Sequence, residues 1–398
     1  MEYVNPPAHT VVGSYLGALP RLDRSAIGRY ARTLDQAGNR AFREAGFEGV
    51  MHVPVLGTEE DPEQTADTLR QLSEQVGNVA VVASVNAPRG RLPAEEKNRL
   101  RDNRELILDH ARTTDVPMSA FSVRYKPKTS IGRVLRDPIA ASLTHVLDKR
   151  GESMPNLLLG RSDVDRRGGS SNFLPDMMRL AGSIPGFNWM IFPTVQHDRL
   201  DPERYPNINR LLHWYDLEAK HTPKWLPAHF AVDAIGYCLA KGINHNPDLN
   251  IDEIRDLVGR MDSNDLGGRL RTFHLADSTV TASCRQLAGN VVEQGNMRYD
   301  SLVVPTPGTW SYRRELPLMD ASDELYILQA VKIIPRSLRL IAEEFYGTNL
   351  ERGMSHAKAI HVARASVAAI VRTATENYQE PPVVMAAIEA AIKEWRAP

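Results

Sequence analysis

The sequence predicts an α/β protein: an open, mostly parallel sheet flanked by helices, with an N-terminal helical extension and a helical C-terminal portion. Short β-prone runs such as Val79-Ala80-Val81-Val82-Ala83-Ser84-Val85 read as strands covered on both faces. Amphipathic helical patterns alternate with these runs in a βαβα order. Beyond about Leu325 the pattern becomes wholly helical.

Residues 1–46 form the extension, where Ile27, Tyr30, Leu34 and Phe42 recur at near-helical spacing behind Asp23, a candidate cap. Gly49 to Val55 then reads as a buried strand. Glu59-Glu60-Asp61-Pro62 opens a helix with Ala66, Leu69, Leu72 and Val76 on one face. The Val79 run ends at Asn86-Ala87-Pro88-Arg89-Gly90, a turn at the strand's C-terminal end. A helix over Pro93 to Arg112, a strand over Met118 to Val123, a helix over Val134 to Lys149 and a strand over Asn156 to Gly160 continue the order. A strand is expected at Trp189 to Val195, and helices at Ile208 to Ala219, Ala231 to Lys241 and Ile251 to Met261. Met297 to Pro317 is turn-rich, which sets domain boundaries of 47–296 for the central domain and 297–398 for the linker and C-terminal helices.

At 398 residues and 42 % hydrophobic the chain can bury one large core, or a core with an accessory lobe. Its 48 basic and 49 acidic residues leave a net charge of −1, so no net field draws it to nucleic acid or an anionic membrane. Cys238 and Cys284 make neither a disulfide scaffold nor a CxxC pair, and a cytoplasmic setting is expected. No apolar run approaches the roughly 20 residues of a membrane span, and MEYVNPPAHTVV does not read as a secretory signal.

Chemistry concentrates first at Leu157-Leu158-Leu159-Gly160-Arg161-Ser162-Asp163-Val164-Asp165. Two carboxylates at i and i+2 past a buried strand can converge on one hard cation, with diphosphate oxygens completing the shell. A solvated loop is the bland alternative. A haloacid-dehalogenase nucleophile is disfavoured by Arg167, and P-loop, GxGxxG, HExxH and GxSxG motifs are all lacking. Gly168-Gly169-Ser170-Ser171-Asn172 reads as a connecting loop or a lid. His213, Trp214, Tyr215 and Trp225 are aromatic material for a core or for stacking on a ligand ring.

Taken in order, these segments resemble the GT-A glycosyltransferases, most closely the family 2-like inverting enzymes, over roughly Gly49 to Leu287. Val53-Pro54-Val55 with Glu59 or Glu60 and Thr68-Leu69 is similar to the family's first strand and helix, with the acid one or two residues late. Asn86 stands where such enzymes commonly carry a nucleoside-contacting Asp, and Lys128 to Arg133 resembles the segment before DxD. Asp163 and Asp165 fall on the metal-binding pair. Phe230 to Gly236 is similar to the acceptor-side segment. Met261-Asp262-Ser263-Asn264-Asp265-Leu266-Gly267-Gly268-Arg269-Leu270 resembles the ED motif with its trailing L-G-x-R-L; Ser263 stands in place of the family's Asp. Val280 to Arg285 resembles V-x-T-S-x-R-R, with Ala282 for Thr and Gln286 for the second Arg.

The resemblance implies a metal-dependent glycosyltransferase that moves a sugar from a nucleotide-sugar donor to an acceptor hydroxyl with inversion. It assigns Mn²⁺ or Mg²⁺ to Asp163 and Asp165, the donor to Pro54, Glu59, Asn86, Arg133, Asp163 and Arg285, and the acceptor to Asp233 and Trp225. A carboxylate must take the proton of the acceptor hydroxyl. Asp262 is the first choice and Asp265 the second, against the reading of 262–265 as a polar turn capping the next helix. Expected partners are a nucleotide sugar and a small-molecule or saccharide acceptor, with no nucleic acid, and the C-terminal helices offer a face for a homo-oligomer. A degenerate nucleotide-sugar-binding protein and a sugar nucleotidyltransferase are the alternatives; the latter wants a basic Gly-rich loop after the first strand, unlike Leu56-Gly57-Thr58-Glu59.

Overall fold

The computed structural model describes residues 7–75, 78–126, 129–164, 167–169, 173–184, 189–222, 232–234, 248, 257, 271–282 and 319–397. The chain divides into two compact units, the first carrying nearly all of the sheet and the second the C-terminal helices.

In the first unit, β1 (Gly49–Leu56), β2 (Val79–Pro88), β3 (Met118–Tyr125) and β4 (Leu158–Arg161) are parallel, and the sheet runs in the order β3-β2-β1-β4-β7-β6-β8-β5. The near-continuous burial of β1 and β2 explains the Val–Ala run of β2 and the Val, Met and Leu residues of β1: both faces are covered. The crossovers α4 (Pro62–Ser73) and α5 (Ala94–Thr113) pack on one face, over Met51, Val53, Val55, Val81 and Ala83. The third crossover, α6 (Ile131–Arg150), lies on the other face over Val50, Ala80 and Val82, with α1 (Ala8–Ala18), α2 (Arg21–Ala37) and α3 (Arg40–Arg43). The N-terminal helices therefore share the core of the sheet, burying Ile27, Leu34 and Phe42.

Helix starts follow local chemistry. Asp61 caps α4, its Oδ1 accepting from the Glu63 amide at 2.9 Å with Pro62 at the first helical position. Asp23 does not cap α2: Pro20 holds that place, and the Asp23 carboxylate instead takes Arg136 of α6 at 2.9 Å.

Two local expectations are corrected. Within the stretch expected as a helix over Ala231 to Lys241, Val232–Ala234 is a strand, β7, antiparallel to both β4 and β6 (Trp189–His197). Ladder bonds on both sides outweigh the helical pattern of three residues. Gly168 and Gly169, expected in a loop, lie in β5 (Arg167–Gly169), antiparallel to β8 (Arg271–Ala282) with a register shift at the glycines. A short helix, α7 (Phe173–Ser183), adds Leu174 and Met177 to the core on the α4 face.

The second unit is built on α8 (Pro206–His221), α9 (Asp323–Glu351), α10 (His356–Asn377) and α11 (Pro382–Glu394). Ile208, Leu211, Ile334, Leu338, Val367 and Ile388 form its core. Trp214 is 2 % exposed and belongs to this core; its indole N–H donates to Glu380 Oε1 at 3.0 Å, and the Tyr326 hydroxyl donates to the same carboxylate. Among the described residues no helix is long and apolar enough to cross a membrane.

Candidate functional site

The strand order fixes where a ligand has access. From β1 the chain moves outward to β2 and β3 and then returns to place β4 on the opposite side of β1, with the crossover helix changing face. In such sheets the loops after the two strands at the reversal part from one another and leave a crevice beyond their C-terminal ends. Here those strands are β1 and β4.

Pro54 determines how the crevice opens. The carbonyl of His52 faces β4 and accepts the Ser162 amide at 2.8 Å. Alternation turns position 54 the same way, but proline has no N–H to give. The β1–β4 ladder stops there, while β1 continues beside β2 as far as Leu56 opposite Asn86.

The loop after β1 is tightly held. The Glu59 and Glu60 amides donate back to the Leu56 carbonyl at 2.9 and 2.8 Å, and the Gly57 amide donates to the Asn86 carbonyl at 2.9 Å. A Cβ at Gly57 would lie 2.6 Å from Val85 Cγ1 and 2.7 Å from Leu100 Cδ1, so any larger residue would force those side chains to move. From α5, buried Asn103 donates to the carbonyls of Gly57 (3.2 Å) and Glu60 (2.8 Å) and accepts from Thr65 (2.9 Å). Glu59 thus projects from a backbone with a fixed course.

The loop after β4 is pinned on both sides of Asp163. Ser162 and Val164 are buried, and the Val164 carbonyl accepts from the Thr68 hydroxyl of α4 at 2.7 Å. The Asp163 carboxylate remains 27 % exposed and meets the last side chain of β4 in a two-point ion pair: Arg161 Nε to Oδ1 at 2.9 Å and Nη2 to Oδ2 at 3.1 Å.

A polar stratum runs beneath on the α6 face. His52 Nε2 lies 2.8 Å from Ser84 Oγ, and the Asn86 amide donates to the Ser84 carbonyl at 3.1 Å and to its hydroxyl at 3.3 Å. His52 and Asn86 are 1 % and 3 % exposed, and neither His52 Nδ1 nor Asn86 Oδ1 has a partner among the described residues. Burial, and after it the Arg161 guanidinium, push the His52 imidazole down to about 3, so the ring is neutral at physiological pH.

Pro54, Glu59, Asn86 and Asp163 thus lie at the C-terminal ends of neighbouring strands, or just beyond them. Arg133, in the first turn of α6, is turned to Asp23 at 3.5 Å. Asp233 is the middle residue of β7, in register with Leu159 and Met190. Asp165, Trp225, Asp262, Asp265 and Arg285 lie outside the described residues. The sequence reading gave no individual role to Arg161, His52, Thr68 or Asn103. Of these only Arg161 carried a signal, as a charge closing an apolar strand.

Among the described residues no group of three or more His, Cys, Asp or Glu gathers as a metal cage. The donor set nonetheless fits a hard divalent cation of the kind that takes one or two carboxylates and completes its shell with phosphate oxygens. Asp163 offers two carboxylate oxygens, partly exposed, on a backbone fixed at both neighbours.

No protein-family model and no curated protein sequence matches the chain. Among solved structures it is similar to TarS of S. aureus, at 10 % identity and a TM-score of 0.37 over 84 % of this chain and 56 % of that one. It is also similar to the mannosyltransferase PcManGT of Pyrobaculum calidifontis, solved in complex with GDP-Man and Mn²⁺, at 10 % identity and a TM-score of 0.34 over 96 % and 98 %. A mycobacterial protein follows at 13 % identity and a TM-score of 0.31 over 65 % and 68 %. The chain spans just over half the length of TarS. At these scores none of the three assigns a function to the chain.

Proposed function

We propose that the chain is a GT-A-type glycosyltransferase that moves a sugar from a nucleotide donor to an acceptor hydroxyl with inversion, aided by Mn²⁺ or Mg²⁺. The observation that carries this reading is Asp163, a carboxylate held by its backbone at the reversal point between β1 and β4, where open α/β sheets receive ligands. The order of the sequence segments around it adds support.

Asp163 and Asp165 hold the cation in this reading. When bound, the cation neutralises charge developing on the leaving diphosphate. Asn86, whose buried Oδ1 has no partner among the described residues, accepts a hydrogen bond from the donor base. Pro54 and the Glu59 turn wall the nucleoside, and Arg285 and Arg133 supply positive charge for the diphosphate. Asp262 removes the acceptor's proton on the face opposite the leaving group, with Asp265 as its alternate. Asp233 and Trp225 orient the acceptor.

A thermal-shift panel tests this. UDP- and GDP-sugars are expected to raise the melting temperature only with Mn²⁺ or Mg²⁺, and Asp165→Ala to abolish the rise. Stabilisation that ignores the metal, or none with any nucleotide sugar, would overturn the reading.

A further inference from the structure

Arg161 forks onto the proposed metal carboxylate through two nitrogens. Its two-point pair with Asp163 engages both oxygens that a hard cation would need. The guanidinium therefore competes with a cation for this carboxylate, by occupying a lone pair on each oxygen and by placing a positive charge beside it. Arg161 is itself only 15 % exposed and stays charged at any physiological pH. A mostly covered guanidinium that gives up a carboxylate is stabilised when another anion takes that carboxylate's place. What it needs in exchange is an anion with two oxygens at carboxylate-like spacing, and a diphosphate offers that geometry.

We infer that Arg161 is an exchangeable counter-ion: it holds Asp163 until a divalent cation and a nucleoside diphosphate arrive together, then passes from the carboxylate to the diphosphate. This rests on the reading of Asp163 as a metal-facing residue. It goes beyond that reading by assigning a role to Arg161 and by making cation and nucleotide mutually dependent. Cation binding at Asp163 frees the arginine for phosphate, and phosphate binding at Arg161 frees the carboxylate, so each ligand strengthens the other by the same factor. Local construction supports exchange over a fixed brace. The backbone on either side of Asp163 is tied independently, by the Ser162 amide to His52 and by the Val164 carbonyl to Thr68, so the loop does not depend on the ion pair for its course.

The test compares the full-length wild type with Arg161→Gln and Arg161→Lys. Mn²⁺ alone is titrated by electron paramagnetic resonance of the free ion, and UDP and GDP are titrated by calorimetry at saturating Mn²⁺. Exchange predicts effects of opposite sign in Arg161→Gln: Mn²⁺ alone binds roughly three- to tenfold more tightly, because its competitor is gone, while the better nucleotide binds roughly tenfold more weakly. Arg161→Lys, which keeps the charge without the fork, falls between on both axes and serves if the glutamine variant does not fold. A damaged loop would weaken both ligands together, and that result, or Mn²⁺ affinity unchanged in both variants, overturns the inference while leaving the site reading intact. Wild type that binds neither Mn²⁺ nor either nucleotide overturns both.

Discussion

Two arginine–aspartate clusters in the first unit are built from the same groups to different ends. Arg136 on α6 is 5 % exposed and spans two carboxylates, Asp137 at 2.7 Å and Asp23 at 2.9 Å, joining α6 to α2. Arg161 at the end of β4 holds Asp163 in a two-point pair, and that carboxylate keeps 27 % of its surface in water. The first cluster is enclosed between helices, where burial lifts the Asp137 carboxyl above its ordinary range. The second stands at the end of β4, partly open to water. Charge pairing in a partly wet crevice is replaceable; in a sealed core it is structure.

The sharpest way to break that contrast is stability. Arg136→Ala takes the close ion-pair partner from the buried Asp137 carboxylate and is expected to cost about 3–5 kcal/mol in urea unfolding. Arg161→Gln should cost about 1 kcal/mol or less, as a partly exposed pair does. Equal losses would erase the distinction.

A second prediction uses His52, which lies beside Arg161 in the β1–β4 register. Its folded value is depressed to about 3, so the fold keeps the ring neutral while the unfolded chain takes up a proton below about 6.5. Stability from this residue is therefore fully present above about pH 6.5 and is lost as pH falls toward 3. The loss is about 1.4 kcal/mol per pH unit, and it should vanish from the difference between wild type and His52→Asn measured from pH 6.5 to 5. Because Arg161 adds to the depression, Arg161→Gln should move the His52 ring titration upward by NMR, whereas Arg136→Ala should leave it in place.

A smaller effect probes the loop supports. Asn103→Ala leaves the Gly57 and Glu60 carbonyls without their donor and should cost about 1–3 kcal/mol. It should also weaken the nucleotide-dependent thermal shift, because the turn carrying Glu59 loses its brace. Retention of that shift at full size would detach the β1 loop from the site.

Much of this fold was legible in the sequence because the signals were local. Short apolar, β-prone runs pointed to β1 and β2, Asp61-Pro62 to the start of α4, and the alternating order to the parallel half of the sheet. β7 and β5 were missed because each is only three residues long and owes its form to partners distant in the chain. The same division runs through the site. The positions of Pro54, Asn86 and Asp163 at or just past strand ends were readable from the local runs around them. Thr68 could not be linked to Val164 across 96 residues, nor Asn103 to Gly57 across 46, since a hydroxyl or amide on a helix looks alike whether it faces water or a carbonyl.

The most direct test of the central claim is location. Crystals grown with Mn²⁺ and a nucleoside diphosphate, measured at the manganese absorption edge, should show an anomalous peak at the carboxylates beyond β4, with Arg161 turned from Asp163 to the phosphates. A peak elsewhere, or Arg161 still clasping Asp163 with nucleotide bound in the crevice, would contradict the account.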